Sequence, residues 1–148
     1  MTNLDSQPTL ACRSSVVMLN GRCACDAVAF EVADEFVAAF NCHCSRCRAM
    51  TGSAFLPWGE IEPEKFTITH GAESVIVTGD PNGHHSRRCG KCYSLLSWTG
   101  YKGSIRVPYG SLIDEPTLKP TAHMFVGSKA PWYEILDGLP QHDEDPWS

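Results

Sequence analysis

The amino-acid sequence predicts one mostly β domain with short helical turns. Three observations carry this reading. Apolar residues alternate with polar or small ones in several short runs. Turn formers recur throughout, with 12 glycines and 10 prolines. Seven of the eight cysteines sit in tight pairs or a triple between those runs. The length, 148 residues, suits a single domain that buries about two-thirds of its surface on folding.

The elements follow in order. Residues 1–19 read as a partly flexible leader: Asp5, Gln7, Pro8 and Arg13 interrupt it, and no hydrophobic stretch marks a signal peptide. Val28, Phe30 and Val32 alternate with Ala29 and Glu31 as in a half-buried strand, and Phe36 to Phe40 form a short apolar strand. Ser45 is placed to cap a helical turn through Met50, with Gly52 as its stop. Glu62-Pro63-Glu64 predicts a further turn with proline at its first position. Phe66 and Ile68, then Val75 to Val77, repeat the strand signal on either side of His70-Gly71-Ala72, and Asp80-Pro81-Asn82-Gly83 is a turn. Tyr93 to Trp98 and Ser104 to Tyr109 flank Gly100 and Gly103 like a hairpin, and His123 to Val126 is a last strand candidate. Pro131 to Leu136 predicts another helical turn, ending near Gly138. Residues 142–148 form an acidic tail expected to fray.

Composition excludes several classes. Twelve Lys and Arg stand against 17 Asp and Glu, a formal net charge of −5, which argues against a nucleic-acid or anionic-membrane binder. No apolar run approaches the roughly 18 residues of a membrane-spanning helix. The expected compartment is the reducing cytoplasm, where clustered cysteines point to metal binding or catalysis rather than disulfides. Oligomeric state is not legible.

The cysteines fall into three knuckles: Cys23-Ala24-Cys25, then Cys42-His43-Cys44-Ser45-Arg46-Cys47, then Cys89-Gly90-Lys91-Cys92. Thiolates one to three residues apart can grip one tetrahedral ion. A structural zinc is closed by four protein ligands, whereas a catalytic one takes three and keeps a position open. Seven therefore divides as four plus three: Cys42, Cys44 and Cys47 form the open site, and the pairs Cys23/Cys25 and Cys89/Cys92 close a structural one. The alternative keeps two purely structural sites, with His43 or another histidine as the eighth ligand. An iron–sulfur cluster fits poorly, because no four-cysteine run has ferredoxin spacing. Cys12 is left over as a free thiol.

Beyond spacing, the residues match a known pattern. Gly21-Arg22-Cys23-Ala24-Cys25, Asn41-Cys42-His43-Cys44-Ser45-Arg46-Cys47-Arg48 and Thr51-Gly52-Ser53 resemble the glutathione-dependent formaldehyde-activating family, whose other named branch is the centromere protein V group. His123 to Trp132 and Asp137-Gly138-Leu139-Pro140-Gln141 resemble the same family's ending, so the likeness spans residues 20–141. It implies an Mss4-like β fold with two zinc ions, structural at Cys23, Cys25, Cys89 and Cys92, catalytic at Cys42, Cys44 and Cys47. It also implies reversible addition of formaldehyde to the glutathione thiol, a carbon–sulfur lyase reaction. The sequence departs from the pattern at Asp26 and Tyr93, where the family usually has glycine. It departs again at Ala49, where a lysine is common, and at His142, where an aromatic is usual.

The chemistry fits the open site. A zinc held by three thiolates is a weak Lewis acid suited to binding a fourth thiol and lowering its pKa. Arg22, Arg46, Arg48, Arg87, Arg88 and Lys91 lie within two positions of a knuckle cysteine. They either offset the thiolates or, at Arg46 and Arg48, hold the carboxylates of an anionic thiol such as glutathione. Lys129 and Trp132 are substrate candidates by resemblance. His43 is either a proton shuttle or a packed neighbour of the site. His84 and His85 read as loop residues. No serine sits in a nucleophile elbow. The competing functions are a thiol carrier and a zinc-stabilised interaction module.

Overall fold

The computed structural model describes residues 15–146, the Tyr101 side chain excepted; Cys12 lies outside them. Among the described residues, ten short strands and one helix follow in order: β1 (Met18–Arg22), β2 (Ala29–Ala33), β3 (Ala38–Cys42), α1 (Ser45–Thr51), β4 (Leu56–Ile61), β5 (Phe66–His70), β6 (Val75–Gly79), β7 (His85–Cys89), β8 (Leu95–Thr99), β9 (Ile105–Pro108) and β10 (His123–Met124). They build a three-stranded sheet in the order β1-β2-β5 and a seven-stranded sheet in the order β10-β3-β4-β9-β8-β7-β6. Every pairing is antiparallel except β10 on β3. The fold is mostly β, as the alternation predicts.

The predicted pattern becomes packing directly. Val28, Phe30 and Val32 are buried and meet Leu19, Ile61, Phe66, Leu96 and Val107 in the main core, drawn from both sheets. Phe30 stacks on Phe66 with ring centroids 4.9 Å apart. Gly21 faces that stack in register with Phe30, and a Cβ there would come within 2.0 Å of the Phe30 ring. Only glycine lets β1 lie this close. A second cluster, Phe40, Cys42, Cys47, Leu56, Trp58 and Met124, gathers where β3, β4 and α1 converge. Arg87, expected to offset thiolates, instead lies 4.9 Å over the Phe66 ring and donates to Ser97 Oγ, bridging the two sheets.

Four local expectations are corrected. Cys44, not Ser45, caps α1: its backbone is extended, and its sulfur accepts the Cys47 N–H at 3.3 Å. Gly52 stops the helix in the left-handed region, as expected. Pro131 to Leu136 forms no helical turn beyond the hydrogen bond from Tyr133 N–H to Ala130 O, and the segment then runs on without regular structure. The strand expected at His123 to Val126 stops at Met124, because Phe125 takes a left-handed conformation. The acidic tail is held in place through Glu144: His142 O accepts from Val126 N–H, and Asp143 O and Glu144 O accept from Gly127 and Phe125.

The departures at Asp26 and Tyr93 have a conformational reading. Both residues are left-handed, with φ of 62° and 61°, one following Cys25 and the other Cys92. Asp26 is among the residues that tolerate this region, and Arg22 holds its carboxylate at 2.9 Å. Tyr93 has no such compensation, and its ring is 64% exposed. Tyr93→Gly is therefore expected to raise stability by about 1 kcal/mol, read as a higher urea midpoint at unchanged slope. A lower midpoint would contradict the strain.

Candidate functional site

The chain brings seven sulfurs into two groups. Cys23 and Cys25 sit on the turn after β1, and Cys89 and Cys92 on the turn that ends β7; the four sulfurs all lie within 4.8 Å of one another. The measured separations are 3.7 Å for Cys23–Cys25 and 3.8 Å for Cys25–Cys89. A tetrahedral ion with ~2.3 Å bonds to sulfur holds its ligands about 3.8 Å apart, so the donor set fits one metal ion. Backbone amides support the sulfurs: Val28 N–H donates to Cys23 Sγ at 3.2 Å and Lys91 N–H to Cys89 Sγ at 3.4 Å. The Ser94 hydroxyl lies 3.1 Å from Cys92 Sγ and, with the Ser94 amide, holds that thiol down to about 5.

Cys42 ends β3, and Cys44 and Cys47 occupy the cap and third position of α1, so the strand-to-helix turn gathers a second group within 4.8 Å. It contains three sulfurs and no histidine nitrogen. Hydrogen bonds from Cys42 and then Cys47 pull the Cys44 thiol down to about 2, while the Cys42 thiol is pushed up by its contact with Cys44. The three sulfurs thus share negative charge that a cation can take up in place of their protons. Trp58 Nε1–H donates to Cys47 Sγ at 3.5 Å and closes this group from the core side.

His43 is fully buried, with its ring against Phe55, His123 and Tyr133. Its Nε2 lies 2.8 Å from His123 Nδ1, and His123 Nε2 lies 2.9 and 3.0 Å from the two Asp137 oxygens. Burial lowers the His43 pKa to about 4, with the neighbouring His123 and Lys129 charges adding to it; the hydrogen bond from His123 lowers that of Asp137. This chain of three residues escaped sequence reasoning. His123 and Asp137 lie within the family-like ending, but only the parallel pairing of β10 with β3 places them beside His43.

The remaining candidates divide. Arg48 Nη2 donates to Ser128 O at 3.1 Å, tying α1 to the C-terminal segment. Lys129 Nζ donates to Ala130 O and Tyr133 O. Both are among the charges acting on His43. Arg46 is exposed, and Trp132 is 72% exposed beside Tyr133. His84 stacks on Trp98, and neither His84 nor His85 joins a sulfur group. A cavity of about 760 Å³ is lined by Cys23 and Cys92 of the four-sulfur group and by Met50 and Leu56, which pack against the three-sulfur group. Cys42, Cys44 and Cys47 do not line it.

Fold and site together define a small two-sheet β protein with two cysteine groups able to hold metal ions. Among the described residues, no helix is long and apolar enough to cross a membrane. The profile of the glutathione-dependent formaldehyde-activating enzymes matches residues 18–128. The chain belongs to this family. A Halomonas elongata protein, provisionally named a glutathione-dependent formaldehyde-activating enzyme, is 28% identical over 130 residues, covering 80% of this chain and 82% of its own. The crystal structure of a Rhodobacter sphaeroides protein, a structural-genomics target, superposes with a TM-score of 0.54 at 20% identity. It covers 66% of this chain and 91% of its own, and supports the fold alone.

Proposed function

We propose that the chain is a zinc-dependent enzyme of the carbon–sulfur lyase type that joins and splits a thiol and a small aldehyde, with S-hydroxymethylglutathione as the type of adduct. The observation that carries this reading is the contrast between the two sulfur groups: one offers four ligands, the other three. Cys23, Cys25, Cys89 and Cys92 would hold a structural zinc, and Cys42, Cys44 and Cys47 a second one with one coordination position left for substrate. Bound there, zinc supplies the charge that favours the deprotonated form of an incoming thiol.

The other residues follow from their positions. Arg48 and Lys129 are cations whose charges act on His43, and they would attract the carboxylates of a glutathione-like thiol. Arg46 and Trp132 are exposed and would meet only the outer part of such a ligand. Phe55 and Tyr133 wall the His43 ring and limit water there. The proposed setting is the reducing cytoplasm, in which seven thiols remain available to metal.

Exchange spectroscopy on glutathione and formaldehyde mixtures tests the reading. With metal-replete protein, the interconversion rate of the adduct is expected to rise in proportion to protein concentration above the spontaneous background. Thiol binding without acceleration would replace the enzyme with a carrier. Neither binding nor acceleration would leave an interaction module.

A further inference from the structure

The cavity of about 760 Å³ opens where four segments meet: the turn after β1, the turn after β7, the passage from α1 into β4, and the stretch after β9. Its volume lies within the roughly 300–1,000 Å³ of ordinary small-molecule sites. It stands apart from the three-sulfur group, whose cysteines do not line it. Its lining is of two kinds. Met50, Phe55, Leu56, Leu95, Leu112 and Ile113 are apolar, and Ile113 is 61% exposed, so the protein's own core leaves it uncovered. Arg22 and Arg88 are cationic, and no carboxylate is among the lining residues.

Both arginines are anchored at one nitrogen. Arg22 Nη1 donates to Asp26 Oδ1 at 2.9 Å and to Cys23 O at 3.5 Å, and Arg88 Nη1 donates to Tyr93 O at 3.1 Å. A guanidinium carries five N–H donors in a planar fork, so each keeps donors for an incoming carboxylate. Tyr93 is a second, independent observation. It lines the same cavity with a left-handed backbone, φ 61°, and is 64% exposed, so packing does not offset its strain. Strained residues persist where a ligand site uses them. Cys23 and Cys92 also line the cavity, and the plain alternative is that the arginines only offset sulfur charge. An exposed aromatic ring on a strained backbone has no part in that role.

We propose that this cavity is a binding site, separate from the three-sulfur group, for a small amphipathic carboxylate with an aromatic body. Arg22 and Arg88 receive the carboxylate through charge-assisted hydrogen bonds. Tyr93 offers its ring to the aromatic body, and Met50, Leu112 and Ile113 complete the apolar wall. The site does not depend on the thiol–aldehyde reading.

The test is methyl NMR on the metal-replete full chain, titrated with phenylacetate and, as the uncharged control, phenylacetamide. Phenylacetate is expected to give saturable shifts at the Met50, Leu112 and Ile113 methyls, and the amide to bind about 10-fold or more weakly. Arg88→Gln is expected to weaken phenylacetate binding roughly 10-fold or more. Tyr93→Gly is expected to weaken it about 3- to 10-fold while raising the urea midpoint, so that lost affinity is not lost folding. Methyls that phenylacetate leaves unmoved would overturn the proposal. So would equal binding of acid and amide, which would leave the arginines as offsets to the sulfurs, or wild-type affinity in Tyr93→Gly. Glutathione displacing phenylacetate from the same methyls would merge the cavity with the thiol site and overturn it as a separate one.

Discussion

A Cys89→Ala chain is expected to lose one equivalent of bound metal and, with it, cooperative folding. Cys89 and Cys23 are almost wholly buried in the main core, so the four-sulfur group is part of that core. The group also ties the turn after β1, in the smaller sheet, to the end of β7, in the larger one. Structural zinc contributes on the order of 10–16 kcal/mol to folding in small domains. A domain's whole net stability is about 5–15 kcal/mol. Losing the ion therefore outweighs what the packed strands retain. Circular dichroism melting with metal analysis reads both effects at once, and strong chelation of the wild-type chain should reproduce them. A sharp melting transition within a few degrees of wild type in Cys89→Ala would show that the sheets hold without the clip.

Cys44→Ser is expected to give the opposite pattern: retained fold, one metal equivalent instead of two, and adduct exchange reduced to the spontaneous background. The three-sulfur group closes only the short segment from Cys42 to Cys47, so its loss frees little chain. Serine also keeps an oxygen that can accept the Cys47 N–H, preserving the cap on α1. A retained rate would separate the reaction from these sulfurs. Loss of the melting transition would make this group structural as well.

Much of this was legible in the sequence because it depends on short spacings. The triple knuckle gathers its own sulfurs through one turn, and Gly52 announces the end of α1. Val28, just before β2, and Phe30 and Val32 within it alternate cleanly because β2 is the central strand of its sheet and these side chains are buried. Three strands were hidden. β1 buries Leu19 and Gly21 on one face, and a glycine leaves no hydrophobic signal. β4 contains Pro57 and Gly59, both strand breakers by composition. Pro57 lies just past the end of the β9 pairing, and Gly59 makes room for the Phe36 and Tyr109 rings. β7 reads His85-Ser-Arg-Arg-Cys89, polar throughout, yet Arg87 behaves as a packed side chain over Phe66.

The histidine chain was illegible for a different reason. His43 and His123 are 80 positions apart, and neither flank carries a spacing rule. Only the parallel pairing of β10 beside β3 joins them. The cap at Cys44 was missed because serine is the commoner cap, whereas here the sulfur of the preceding residue already accepts the amide.

The four-sulfur clip also sets a timetable for the newborn protein. Cys25 and Cys89 are 64 positions apart. At ~5–20 residues per second, the ribosome needs about 3 to 13 seconds to deliver the second pair after the first. Through that interval Cys23 and Cys25 are an exposed, half-assembled chelate, open to oxidation and to capture by other soft metals. With the structural zinc proposed above, maturation of this chain would call for free metal and reducing power at the moment Cys92 emerges, and metal starvation is expected to leave degraded chain rather than inactive folded protein.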